Sequence, residues 1–179
     1  NAEVNVTFNS LSGDAGDQIV TRYNNGANAN LIVTTGSFSG VISGSGNMLK
    51  TTGGTVTLSG ANTYSGLTDV QAGILSITNA SALGTSVGDT TVASGAQLQL
   101  SGGIVVASES ITLNGTGGNS QGALNNLSGN NEWAGPIVIG TGGTNNRVGS
   151  AAGNLTLSGP ISGGQAGIMG GLTVRNGAG

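Results

Sequence analysis

Leu58-Ser-Gly-Ala-Asn-Thr-Tyr-Ser-Gly66 and Leu127-Ser-Gly-Asn-Asn-Glu-Trp-Ala-Gly135 are two versions of one nonamer. Five of the nine positions are identical, and the seventh is aromatic in both, Tyr64 and Trp133. A unit this short cannot bury its own apolar face, so recurrence inside one chain implies units that stack and cover one another. The repeat positions Leu58, Asn62, Tyr64, Gly66 and Leu127, Asn131, Trp133, Gly135 are therefore assigned structural roles. Each asparagine is expected to bond corner backbone groups, and each ring to tuck against an adjacent coil. The competing reading makes Tyr64 and Trp133 sugar-stacking platforms. Recurrence at a fixed motif position favours structure.

Outward from the nonamers, helical periodicity is almost absent and short alternating stretches recur. Val4–Phe8, Leu31–Val33, Thr55–Leu58, Ile74–Ile77, Gln97–Leu100, Ser110–Leu113, Ile137–Ile139, Asn154–Leu157 and Leu172–Val174 all place apolar or β-branched residues at spacing two. Turn clusters separate them, such as Ser43–Gly46, Thr52–Gly54, Gly115–Asn119 and Gly140–Thr144. Many very short strands with Gly and Asn corners predict an all-β solenoid over a sandwich, because aromatics are only 3% of the chain. A narrow core of stacked Leu, Ile and Val manages without large rings. A second match, Ser39-Gly-Val-Ile-Ser-Gly44 with Ser158-Gly-Pro-Ile-Ser-Gly163, reads as further repetition. At roughly 20 to 25 residues per coil, the chain makes about seven to nine coils. At ~4.8 Å per coil that is a rod on the order of 35 to 45 Å long. The whole of residues 1–179 is read as one such domain.

Composition removes most other classes. The chain has 36 glycines, 6% charged residues, no histidine, no cysteine and a net charge of −3. At 36% hydrophobic, with slightly positive mean hydropathy, it is ordered, since disorder goes with low hydrophobicity and high charge. Four scattered basic residues, Arg22, Lys50, Arg147 and Arg175, make no nucleic-acid surface. No apolar run approaches the ~20 residues of a membrane helix, so membrane insertion of this segment is not expected. The lone charges are read as solubilising residues that also block sideways aggregation.

Catalysis is poorly supplied. Without His or Cys, the Ser-His, Cys-His and His-ligated metal arrangements are excluded. Seven carboxylates remain, Glu3, Asp14, Asp17, Asp69, Asp89, Glu109 and Glu132. Asp69 and Asp89 lie about one coil apart and are candidates to stack, but with no basic partner in view they suit a solvated edge. Gly13-Asp-Ala-Gly-Asp17 is a single imperfect copy of a calcium-binding turn and reads as an acidic turn. The threonines at 55–57 and 90–92 are too irregular for an ice-organising face and read as solvent-facing strand residues. No catalytic residue, cofactor or metal is assigned.

The stretch Gly36 to Gly66, continued by Thr68-Asp-Val-Gln-Ala-Gly-Ile-Leu-Ser-Ile77 and Asn79-Ala-Ser-Ala-Leu-Gly84, resembles the autotransporter-associated β-strand repeat of bacterial passenger regions. The resemblance is strong from about Phe38 to Gly84 and weaker from Leu127 to Gly179. It is poor over 1–27 and 101–126. It implies a right-handed parallel β-helix exported to the bacterial surface or extracellular space, without implying an activity, because fold does not fix function. Asn1–Phe8 reads as an open strand, not a cap, and the repeat register calls for a further strand after Gly179. The expected partners are thus further coils, by end-to-end stacking or by continuation in a longer chain. The leading functional expectation is a non-enzymatic stalk, fibre or matrix element. The alternative is an adhesin-type module that recognises a host or glycan ligand through the Gly/Asn loops near 114–126 and 140–153.

Overall fold

The computed structural model describes residues 4–22, 29–143, 145–164 and 173–176; of Arg175 and Asn176 it describes the backbone. The chain winds as a parallel β-solenoid. Its first face stacks Val4–Phe8, Ala29–Val33, Met48–Lys50, Thr68–Val70, Thr90–Val92, Ile111–Leu113, Ile137–Ile139 and Ile161–Gly163. The second face stacks Leu11–Gly13, Gly36–Phe38, Thr55–Leu58, Ile74–Ile77, Gln97–Ser101, Leu124–Ser128, Arg147–Ser150 and Thr173–Asn176. Eight described strands per face make eight levels, counted here from the N-terminal side. The third face is discontinuous. Gln18–Thr21 pairs with Val41–Gly44, and Val105–Val106 pairs with Asn131–Trp133, which pairs with Leu155–Leu157. On the first face, Leu31 aligns with Met48, 17 residues on, and Ile111 with Ile137, 26 residues on. Levels therefore vary in length around the expected value, because their loops differ.

Alternation explains the core. In a strand every second side chain points inward, and stacking in register brings equivalent residues into columns. Val56, Leu75, Leu98, Leu124 and Val148 form one such column on the second face, all buried. Val33, Val70, Val92, Leu113 and Ile139 belong to another on the first face. Each buried aliphatic side chain contributes about 1.5–3 kcal/mol of transfer free energy, so the rod is held by many equal increments and by no dominant centre.

Two sequence readings are corrected by the topology. Ser39–Gly44 and Ser158–Gly163 are not equivalent: Val41–Gly44 lies on the third face and Ile161–Gly163 on the first. Both follow a Ser-Gly corner, where the chain must pass close to the backbone beneath. A Cβ on Gly40 would run into the Asp17 carbonyl, and one on Gly159 into the Gly135 carbonyl. The match thus records a shared requirement of two different corners. Asp69 and Asp89 also do not stack. Asp69 aligns with Leu49 and Thr91, whereas Asp89 sits at a corner, where its carbonyl accepts from Thr68 N at 3.0 Å.

Candidate functional site

Both nonamers turn onto the third face through the same amide-to-asparagine bond. Asn62 Oδ1 accepts from Ile42 N at 2.8 Å, and Asn131 Oδ1 accepts from Ile104 N at 2.7 Å. In both cases the donor is a backbone amide of the level beneath. Asn62 Nδ2 then donates to Ala82 O of the level above at 2.6 Å. Asn131 Nδ2 turns back to Ser128 O at 2.8 Å and to Asn126 Oδ1. Two residues on, Tyr64 and Trp133 are fully buried. Tyr64 Oη lies 2.6 Å from Thr68 Oγ1, and burial holds the phenol well above its usual pKa. Trp133 Nε1 is buried without a hydrogen-bond partner. Neither ring is available as a sugar platform. Gly66 and Gly135 close the motif where a Cβ would strike the carbonyl oxygen of Gly46 or of Glu109. The leading leucines differ: Leu58 is buried, and Leu127 is 42% exposed.

Besides Thr68 and Thr90, which stand in the column of Met48 and Ile111, the aliphatic columns hold Lys50 and Asn126, and sequence reasoning missed both. Lys50 is fully buried in register between Val33 and Val70, which corrects its reading as a surface charge. Its stem continues the column, and its Nζ donates to the corner carbonyls of Thr52 and, at 3.0 Å, Ala72. Burial pushes the ammonium below its usual pKa. Asn126 follows Leu58, Ile77 and Leu100 in register. The two N–H groups of its Nδ2 are shared among Gly129 O at 2.9 Å, Ser150 Oγ at 3.0 Å and Ala152 O at 2.7 Å. Both groups satisfy backbone carbonyls at corners, the places where a solenoid leaves such acceptors free. The signal available in sequence was position: each occupies a place where alternation calls for an aliphatic residue.

Among the described residues the carboxylates do not converge. Asp14 and Asp17 form a self-capped turn, with Asp14 N donating to Asp17 Oδ2 at 2.8 Å. Asp69 Oδ2 accepts from Gln71 Nε2 at 2.7 Å. Glu109, unlike a solvated-edge carboxylate, is 5% exposed, and Thr90 Oγ1 donates to its Oε1 at 2.7 Å. Thr90 is itself buried, not solvent-facing. Among the described residues no cluster of three or more His, Cys, Asp or Glu side chains is placed to hold a metal ion.

The remaining candidate is the loop surface. Connections from the first to the second face are two to four residues long through the fifth level, then ten residues (114–123) and seven (140–146). These two loops lie against each other. Asn114 Oδ1 accepts from Gly142 N at 2.9 Å, Gly115 N donates to Asn146 Oδ1 at 2.6 Å, and Arg147 Nη1 donates to Ser120 O at 2.6 Å. Among the described residues, the non-glycine positions with left-handed backbone are Asn119 (φ 55°), Ser120 (φ 57°) and Asn145 (φ 62°), all in these loops. Asn119, Ser120, Gln121, Thr141 and Asn145 are exposed. The stretch is less loop than the sequence indicates, since Leu124–Ser128 is a strand and Ala123 and Leu124 are core.

The family model of the passenger-associated-transport repeat matches residues 49–77. That segment makes one full circuit, from the first face through the Asn62–Gly66 corner to Val70, which aligns with Lys50, and on to Ile77, which aligns with Leu58. Over 81 residues the chain is 42% identical to a curated protein described as an adhesin autotransporter, BmaC, of Brucella suis biovar 1; the alignment covers 45% of this chain and 2% of that relative. No solved structure matches significantly. The chain thus carries an autotransporter passenger repeat, and it folds that repeat as one circuit of a continuous parallel β-solenoid.

Proposed function

We propose that this chain is a stiff, non-enzymatic module of an exported bacterial surface or extracellular protein, acting as a stalk, fibre or matrix element. The observation that carries the reading is the pair of parallel ladders, continuous from Val4–Phe8 to Ile161–Gly163 and from Leu11–Gly13 to Thr173–Asn176. Stiffness follows because bending the rod must stretch hydrogen bonds on one face while compressing packed side chains on another. Modules join through coil ends, either to continuing coils or to another copy. Negative-stain microscopy tests this: filaments support stacking between copies, discrete short rods support a module within one chain, and flexible beads overturn the rod.

A second reading, adhesion through the 114–123 and 140–146 loops, is favoured by their left-handed residues. Backbone held in such conformations outside glycine is concentrated at functional sites. Its expected ligand is a glycan or a host surface component. Replacing both loops by the short Thr51–Gly54 type of connection should abolish binding to a glycan array or to host cells while the far-ultraviolet spectrum stays that of a β-solenoid. Unchanged binding would sink the adhesin reading and leave the rod.

A further inference from the structure

Levels two to seven pass from the third face to the first through a two-residue corner: Gly46-Asn47, Gly66-Leu67, Gly88-Asp89, Glu109-Ser110, Gly135-Pro136 and Gly159-Pro160. The second carbonyl of every pair accepts a backbone amide of a neighbouring level at 2.8–3.0 Å, from Leu31 N at Asn47 to Ile137 N at Pro160. The first position is packed so closely that a Cβ on Gly66, Gly88, Gly135 or Gly159 would strike a carbonyl oxygen of the level beneath. Glu109 alone in this column carries a side chain.

The third face is interrupted beside it. Thr85 N bonds Tyr64 O at 2.9 Å, linking levels three and four. Levels five and six are linked by the Val105–Val106 and Asn131–Trp133 pairing. Among the described residues no backbone bond joins 79–87 to 104–108. Ile104 and Val106 turn their carbonyls to the amides of Glu132 and Ala134 at 3.0 and 2.9 Å. Alternation along a parallel strand leaves the N–H and C=O of Val105 facing the gap. A cleft of about 220 Å³ lies there, lined by Ser81, Gly84, Ser86, Val105, Ser108 and Glu109 among others.

Thr90, which binds the Glu109 carboxyl, aligns with Thr68, and Thr68 binds the Tyr64 hydroxyl. The titratable groups acting on Glu109 are Asp89 and Tyr64, both acids. Neither supplies a positive charge. Burial, opposed by the Thr90 bond and reinforced by Asp89, pushes the Glu109 carboxyl up to about 7.

We propose that the fourth and fifth levels form an acid-closed joint: neutral Glu109 holds the cleft narrow in acidic surroundings, and its ionised form widens it at neutral and higher pH. Opening follows from solvation. A carboxylate without a counter-charge must recruit water, and the gap in the ladder is the place where water enters without breaking a strand pair. The folded-state pKa is raised above the unfolded one, so the native state holds the extra proton. Stability is greatest below the ordinary glutamate range, falls as pH rises through about 7, and is level above that.

Urea unfolding of the full chain at pH 5 and pH 8, for the natural protein and for Glu109→Gln, reads this directly. Glutamine keeps the shape and stays neutral. The natural protein should lose roughly 10- to 100-fold more of its folding equilibrium constant between the two pH values than the variant does. Amide exchange, corrected for intrinsic pH dependence, should accelerate at 79–87 and 104–108 in the natural protein and not in the variant. Equal pH dependence of the two proteins, or acceleration spread evenly over all levels, would overturn the proposal. Should the variant fail to fold, carboxyl carbon-13 titration of the natural protein decides. A Glu109 midpoint near 7 with co-titrating Gly84 and Val105 amides supports the joint, and a midpoint in the ordinary glutamate range refutes it.

Discussion

The Tyr64 corner and the Trp133 corner are three levels apart and built on the same nonamer, yet they use it differently. Both hold the asparagine on the amide of the level beneath, both bury the ring completely, and both need glycine two residues later. They diverge at the first position. Leu58 enters the column of Phe38, Ile77 and Leu100. In the later copy Asn126 aligns with Leu100 and Ser128 with Ser101, so Leu127 is the extra residue of a bulge and points to solvent. They diverge again at the ring, where the Tyr64 hydroxyl has Thr68 and the Trp133 indole N–H has no partner. The difference teaches that the working core of the motif is Asn-x-aromatic-x-Gly. The Leu-Ser-Gly that precedes it is only the usual way of arriving there.

Substitution at both corners sharpens that distinction. Truncating either ring should cost the most, about 3–5 kcal/mol for Tyr64→Ala and for Trp133→Ala, because each empties a fully enclosed volume; urea midpoints would measure it, and a small loss at either ring would break the equivalence. The leading leucines should then separate. Leu58→Ala should cost about 2–5 kcal/mol, whereas Leu127→Ala should stay within about 0.5 kcal/mol. Similar losses at the two would mean the bulge is wrongly placed. Asn62→Ala and Asn131→Ala should each cost about 1–3 kcal/mol by orphaning the amides of Ile42 and Ile104. The second should exceed the first, since it also strips Asn126 of a partner. A modest loss, about 1 kcal/mol, is expected for Tyr64→Phe, which removes one hydrogen bond to Thr68. Its signature is slower closing of the corner, seen as faster amide exchange at Thr68.

The strands that sequence reasoning located, such as Thr55–Leu58, Ile74–Ile77 and Ile137–Ile139, are those where apolar residues alternate with threonine, serine or another β-branched residue. Those it passed over are short or carry polar groups inward. Thr68-Asp-Val70 offers one alternation, and one of its two buried members is a threonine satisfied by a tyrosine four residues earlier. Asn131-Glu-Trp133 hides a strand inside what reads as a corner motif. Glu109 illustrates the same limit from the other side. A lone glutamate between serines carries the signature of a solvated edge, yet Glu109 is buried with its carboxyl on Thr90, a residue of its own level nineteen positions earlier. Lys50 is hidden for the same reason: its neighbours in sequence, Leu49 and Thr51, say nothing of Val33 and Val70, which enclose it.

That this chain stacks short strands with Gly and Asn corners is legible in the order of its residues. Strand alternation and close-approach glycines are local properties, and the recurring nonamer announced that equivalent surfaces would meet. Only the tertiary structure decided which residues share a column. Register depends on the length of every intervening loop, and a shift of one residue exchanges inside for outside. That is why Leu127 faces water while Asn126 takes the place of a leucine. It is also why two long loops separated by a full circuit lie side by side, and why one acid among the six described stands buried at a gap in the ladder.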